Sequence, residues 1–152
     1  MRDVLLLRHG QAAGIHPAAA LLPEGEAQAQ QVAEHLAPWV SRGLQVVSSP
    51  YHRAQETTRI IAARWALTPI SPLSALMPDG DERAAREALE GLGIEAPLLV
   101  VSHRPLLPRL AQRLAGVLAP FPTAGGLVLE LDDWAPQGAR LTYWLDPTGV
   151  QR

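Results

Sequence analysis

The chain has no cysteine and few aromatics, 5% of its 152 residues. Without cysteine there is no disulfide framework and no thiolate zinc site. The four tryptophans, Trp39, Trp65, Trp134 and Trp144, do not fall at the spacing of a base-stacking platform and read as core or edge packing. Charge of one sign is missing too: 13 basic and 15 acidic side chains leave a formal net charge of -2, and the pI is about 6.2. Nucleic-acid binders carry a basic face or a high pI, so no nucleic-acid partner is expected. The N-terminus offers one Arg and one Asp and then only four aliphatic residues, too short for a signal peptide or a membrane span. The expectation is a cytoplasmic protein with no membrane partner.

What is present is enough apolar residue, 47%, to exclude disorder of the whole chain. The length suits one domain over residues 1–152, with no repeat and no linker. Two short aliphatic runs, Val4–Leu7 and Leu98–Val101, read as strands buried on both faces. Residues 44–47 read as a third strand and 70–73 as a short fourth. Leu127–Leu131 and Arg140–Leu145 read as a hairpin around a turn at 132–138, with a frayed tail after it. Helices are expected between them. The first opens at Glu24 and Glu26, is cut short by Pro38 and ends at Gly43. The second runs from about Tyr51 to Ala66 with Ser49 as N-cap and Pro50 in its first position. The third spans about Glu82–Leu92 behind Asp79 or Asp81 as cap, and the fourth runs from Pro105 to about Leu118. Alternating strands and helices predict an α/β fold: a three-layer α/β/α sandwich, its central sheet mostly parallel with an antiparallel C-terminal edge.

Three strand ends carry chemistry. The first gives Arg8, His9 and Gly10, the second Ser48-Ser49-Pro50 with Arg53 just beyond, and the third Ser102-His103. The carboxyl ends of parallel strands lie on one side of a sheet, where ligands bind. Two guanidinium groups, two imidazoles and the helix starts after residues 49 and 104 would then surround one spot. A tetrahedral phosphoryl dianion is the natural occupant of such a cage. Gly10 lets the backbone turn and approach a ligand, and Gln11 is placed to hydrogen-bond substrate. No pair of histidines has ligand spacing with an acid beside it, so no metal and no cofactor is expected. His16 and His35 read as surface residues and His52 as rim.

These motifs resemble the histidine phosphatase superfamily, the phosphoglycerate-mutase-like fold. Leu7-Arg8-His9-Gly10 matches its opening Arg-His-Gly motif. The stretch from Ser48 through Arg53 and Ala54 to Thr57 is similar to its Ser-Ser-Pro motif, and Val101-Ser102-His103 to its late Ser-His motif. Leu22-Pro23-Glu24-Gly25 echoes the turn before its first helix. The short chain without an insertion looks most like the SixA-type phosphohistidine phosphatases. The resemblance implies that His9 attacks phosphorus and becomes phosphohistidine, that Arg8, Arg53 and His103 bind and stabilise the phosphoryl oxygens, and that water then hydrolyses phospho-His9 without a metal. Such a His9 must be neutral and in one tautomer. Neighbouring guanidinium charges are expected to lower its pKa, and its other nitrogen to donate to a carbonyl at Gly10 or beyond.

The pattern departs from the family in one place. Members that cleave alcohol phosphates supply a carboxylic acid from the region after the third strand, and around Ala75 this chain has none. Asp79 and Asp81 are the possible acids, although acids at a helix start usually cap it. An imidazole, with a reference pKa near 6.5, leaves without such help far more easily than an alkoxide. The reading is therefore a phosphatase of phosphohistidine on a protein. The alternatives are a phosphatase of small phosphate esters using Asp79 or Asp81, and a phosphate- or phosphopeptide-binding module without turnover. A mutase, which needs a closed site, fits least.

Overall fold

The computed structural model describes all residues, Met1–Arg152. Six strands, β1 (Arg2–Arg8), β2 (Gln45–Ser48), β3 (Leu98–Ser102), β4 (Gly126–Leu131), β5 (Ala139–Asp146) and β6 (Gly149–Gln151), form one sheet in the order β2-β3-β1-β4-β5-β6. The pairs β2/β3 and β3/β1 are parallel; β1/β4, β4/β5 and β5/β6 are antiparallel. The antiparallel edge is thus three strands wide. The last residues are not a frayed tail: a turn at residues 147–148 folds Val150 back onto Leu145. Residues 70–73 form no strand either. Ile70 and Leu73 donate their N–H groups to Val46 and Ser48 at 2.8 and 3.0 Å, covering the outer edge of β2 with irregular chain.

Alternation along β1 explains the three layers. Val4 and Leu6 face one side, where they meet α4 (Glu82–Gly91) and α5 (Leu106–Ala115). Leu5 and Leu7 face the other, packing on α1 (Pro23–Glu34), α2 (Ala37–Val40) and α3 (His52–Trp65). Successive side chains of a strand point to opposite faces, so a strand covered on both sides must be apolar throughout, and all four of these residues are 0% exposed. Pro38 and Gly43 act as the sequence suggests: α1 ends at Glu34 and a single further turn precedes Gly43, whose φ is 85°. Helix α5 is shorter than expected, because Gly116 takes a left-handed conformation at its end and leaves Leu118 exposed. His35 is not simply solvated, since its Nε2 is hydrogen-bonded to Pro147 O at 3.0 Å.

The register sets the three chemical strand ends level. Arg8 lies opposite Ser102, and Ser48 opposite Val101. Gly10 then passes close under α1. A Cβ there would sit 2.5 Å from Gly25 O, whereas at Gly14 it would meet nothing. Neither glycine needs a left-handed φ, so the demand at Gly10 is close approach of two backbones. Overpacking of this kind costs about 1–3 kcal/mol. Gly10→Ala is therefore expected to lower the urea midpoint by that equivalent, with Gly14→Ala as an unchanged control.

Candidate active site

Arg8, His9, Arg53 and His103 meet at the carboxyl ends of β1 and β3, in a cavity of about 580 Å³ that Gln11, Asp79 and Arg104 also line. The imidazoles of His9 and His103 stand 5.1 Å apart. His9 Nδ1 donates to Gly10 O at 2.6 Å, and Arg53 Nε donates to His9 Nε2 at 3.2 Å. The two bonds define the tautomer: the proton is on Nδ1 and the lone pair on Nε2. Both rings are buried, 5% and 0% exposed. Burial is the larger cause of the low pKa values, about 4 for His9 and about 3 for His103, because it penalises the imidazolium. For His9 the Gly10 carbonyl opposes this, and the Arg53 and Arg8 charges add to it only after burial. The expected charge effect is therefore present but secondary. Burial, then Arg104 and Arg53, also lower the pKa of Arg8.

The guanidinium groups are held by backbone carbonyls rather than carboxylates. Arg8 Nη1 donates to Phe121 O at 3.3 Å, and Arg53 Nη1 to His16 O at 3.1 Å. With no acid paired to either, their charge stays uncompensated inside the protein. Two polar atoms of the cage, Arg8 Nε and His103 Nδ1, are buried with no partner in the protein. An unpaired buried donor or acceptor costs about 1–3 kcal/mol, so a ligand atom that met either would gain by that amount.

Other parts differ from expectation. Ser49 does not cap α3, which starts at His52 behind Tyr51 with no side-chain cap. Its Oγ instead accepts from Tyr51 N at 3.1 Å and is hydrogen-bonded to His103 Nε2 at 2.7 Å. The α3 terminus is also less open to an anion than expected, since His52 N donates to Pro17 O at 2.9 Å. The N–H of Gly10 is likewise taken, by Thr57 Oγ1 at 3.1 Å. Gln11 is exposed at the rim, its N–H donating to Gln28 Oε1. Asp81 caps α4, accepting from Ala84 N at 3.2 Å, whereas Asp79 lies exposed on the cavity wall. His16 is exposed and contributes only its carbonyl, and His52 pairs with Glu56 at 3.3 Å.

Sequence reasoning missed Thr57, Tyr51 and Phe121. Thr57 Oγ1 donates to Arg53 O at 2.9 Å while accepting from Gly10, so one hydroxyl locks β1's end to α3. Tyr51 stands edge-on to His103 at 5.1 Å, with Arg53 Cζ 5.0 Å from its ring centre. Thr57 and Tyr51 lie inside the stretch that resembles the Ser-Ser-Pro motif, yet their partners, Gly10 and His103, are far along the chain. A larger groove of about 710 Å³ lies at the other end of the sheet, between Asp3, Arg42, Glu130 and Arg140. Most of its charges pair among themselves, Arg42 with Asp3 and Arg140 with Glu130, and the one remaining cation, Arg152, lies over the Tyr143 ring.

The sequence model of the histidine phosphatase superfamily (branch 1) matches residues 4–77, which include Arg8, His9 and Arg53. The protein histidine phosphatase SixA, solved with tungstate, superposes with a TM-score of 0.84 at 25% identity over 96% of this chain and 97% of that one. The family match thus spans residues 4–77, and the whole chain shares the SixA fold. That fold is the phosphoglycerate mutase-like one. Two further structures share that fold. A phosphoserine phosphatase of Entamoeba histolytica, in complex with phosphoserine, has a TM-score of 0.74 at 16% identity over 95% and 96% of the two chains. A mycobacterial glucosyl-3-phosphoglycerate phosphatase has 0.72 at 19% over 99% and 98%. No curated protein matches the chain in sequence. No helix is long and apolar enough to cross a membrane.

The depressed pKa values have a signed consequence. An unfolded histidine takes up its proton near pH 6.5, before folded His9 and His103 do. Between pH 6.5 and about 4 the unfolded chain therefore binds more protons. Stability is complete above pH 6.5 and falls as pH drops through that window. In an imidazole NMR titration, the His9 and His103 resonances are expected to be those of neutral rings still at pH 5.5, and His9→Gln and His103→Gln are each expected to remove one of these two signals.

Proposed function

We propose that this protein is a metal-independent phosphatase that works through phospho-His9 and takes phosphohistidine on a protein as its substrate. The observation that carries the reading is the His9 lone pair, fixed on Nε2 between Arg53 and the Gly10 carbonyl and facing two uncompensated guanidinium groups. A phosphoryl group entering the cavity takes over the Arg53 donor. Its oxygens meet Arg8 Nε, one of the two buried atoms without a partner, and His103 supplies a further donor. His9 Nε2 then forms the new bond to phosphorus as the bond to the leaving group breaks. Positive charge grows on the His9 ring, and the Nδ1–H bond to Gly10 O stabilises it. Arg8 and Arg53 stabilise the charge spread over the equatorial oxygens, the largest effect available to phosphoryl transfer. A departing imidazole takes its proton from solvent, since its basicity is modest. Water then cleaves phospho-His9, releasing phosphate and restoring the neutral ring.

With EDTA present, wild type is expected to release phosphate from a phosphohistidine-bearing protein, and His9→Ala to release none. Wild type quenched in alkaline SDS is expected to carry a base-stable, acid-labile phosphoryl group mapping to His9. Binding of phosphate with no adduct at any time would instead establish a binding module.

A second reading, a phosphatase of small esters, has one observation in its favour: Asp79 reaches the cavity wall, while Asp81 is committed to the α4 cap. General-acid assistance contributes about 10²–10⁴-fold. On that reading Asp79→Asn lowers hydrolysis of an alkyl ester, glycerol 3-phosphate, by that factor, because an alkoxide needs a proton to leave. Asp81→Asn, which keeps a capping acceptor, leaves it unchanged. Equal rates for wild type and both variants would remove the second reading.

A further inference from the structure

The cavity holds a third guanidinium that the chemistry at His9 does not use. Arg104 follows the buried His103 directly, yet it is exposed and lines the same cavity wall. Arg8 and Arg53 are each anchored on a carbonyl, whereas the Arg104 side chain enters no hydrogen bond and none of the ion pairs of the chain. Asp79 is the one carboxylate among the cavity residues, and it lies outside ion-pair distance of Arg104. The Arg104 charge is near enough to lower the pKa of Arg8. Exposed at the cavity wall, the Arg104 guanidinium has only water as a partner in the ligand-free protein and is free to pair with an anion that arrives beside the phosphoryl group.

A guanidinium presents a planar fork of donors that matches a carboxylate in two-point contact. The phosphoryl oxygens are already served by Arg8, Arg53 and His103 deeper in the cage. Arg104, at the cavity wall and in water, is placed beyond them, where the remainder of the substrate leaves the cavity.

We propose that Arg104 is a specificity-determining residue that holds a carboxylate on the leaving-group side of the substrate, so that the site selects phosphohistidine flanked by an acidic side chain. The carboxylate anchor stands on the geometry of the cavity, and the peptide context rests on the phosphohistidine reading above.

Two substrate pairs separate these layers. The first is a phosphohistidine peptide with Glu beside the phosphorylated residue and its Gln twin. The second is 3-carboxyphenyl phosphate and its 3-carbamoyl analogue, nearly equal in size. An exposed ion pair is worth up to about 1 kcal/mol, roughly fivefold. Wild type is expected to prefer the charged member of each pair by about that factor in kcat/KM, mainly through KM. Salt near 0.5 M, where charges are strongly screened, is expected to shrink the preference. Arg104→Gln is expected to treat both members of a pair alike, and Arg104→Lys to keep part of the preference. Absence of any preference in wild type, or its survival in Arg104→Gln, overturns the anchor. If neither peptide is cleaved but the aryl pair shows an Arg104-dependent preference, the phosphohistidine reading fails and the anchor stands.

Discussion

The hydrogen bond from Arg53 Nε to His9 Nε2 is the contact on which the site depends. A guanidinium has no acceptor, so the bond exists only if His9 keeps a lone pair on Nε2. That requires a neutral ring with its proton on Nδ1, and Gly10 O is 2.6 Å away to receive it. The requirement spreads outward. Arg53 must come from the first turn of α3, and α3 must sit against the end of β1. The Thr57 hydroxyl holds both, accepting from Gly10 N and donating to Arg53 O. Gly10 must also be a glycine for α1 to approach. The loop at 11–21 closes on itself through the Ala12 and Leu21 bridge, and its residues Pro17 and His16 supply carbonyls to the start of α3 and to Arg53. One imidazole orientation therefore draws on a strand end, two helices and a loop.

Such a site is assembled against its own preferences. Two imidazoles are buried, two guanidinium groups face each other without a carboxylate, and Arg8 Nε and His103 Nδ1 lack partners. The segment that supplies the Arg8 acceptor is strained as well. Phe121 and Ala124 are not glycines, yet their φ values are 48° and 55°. Each such residue costs on the order of 1–2 kcal/mol. They are held there because Phe121 is buried in the core beside α5, Ala124 N donates to His9 O, and Gly125 O accepts from Arg8 N. The apolar strands offset the cost. Fully burying a Leu or Val contributes about 1.5–3 kcal/mol, and β1 and β3 between them bury eight such residues.

The strands that carry the site were legible because a two-sided buried strand has to be an unbroken aliphatic run. Arg8, His9, Arg53 and His103 were legible because each sits beside such a run or a turn signal, so local sequence marks them. What sequence concealed depends on partners far along the chain. Ser49-Pro50 has the composition of a helix start, but the Ser49 hydroxyl is drawn instead to His103, 54 residues away. Val150 looks like a tail residue because its partner, Leu145, is supplied by a two-residue turn that only pairing reveals. Residues 70–73 have strand composition, yet two prolines, Pro69 and Pro72, remove the donors a ladder would need. Phe121 contributes a carbonyl, and a carbonyl has no sequence signature at all.

The division between the two aspartates follows from the same dependence on context. In sequence Asp79 and Asp81 are equivalent, two acids ahead of a helix. In the fold Asp81 has extended backbone at the N-cap of α4, where its carboxylate accepts from Ala84 N. Asp79 is two residues earlier, on the far side of Gly80, whose close fit against Ala75 O and Met77 O turns the chain there. That turn leaves Asp79 at the cavity mouth, in water. The proposed imidazole leaving group and this exposed carboxylate fit together: on that reading the cavity concentrates donors on the phosphoryl oxygens and leaves departure to the chemistry of the substrate.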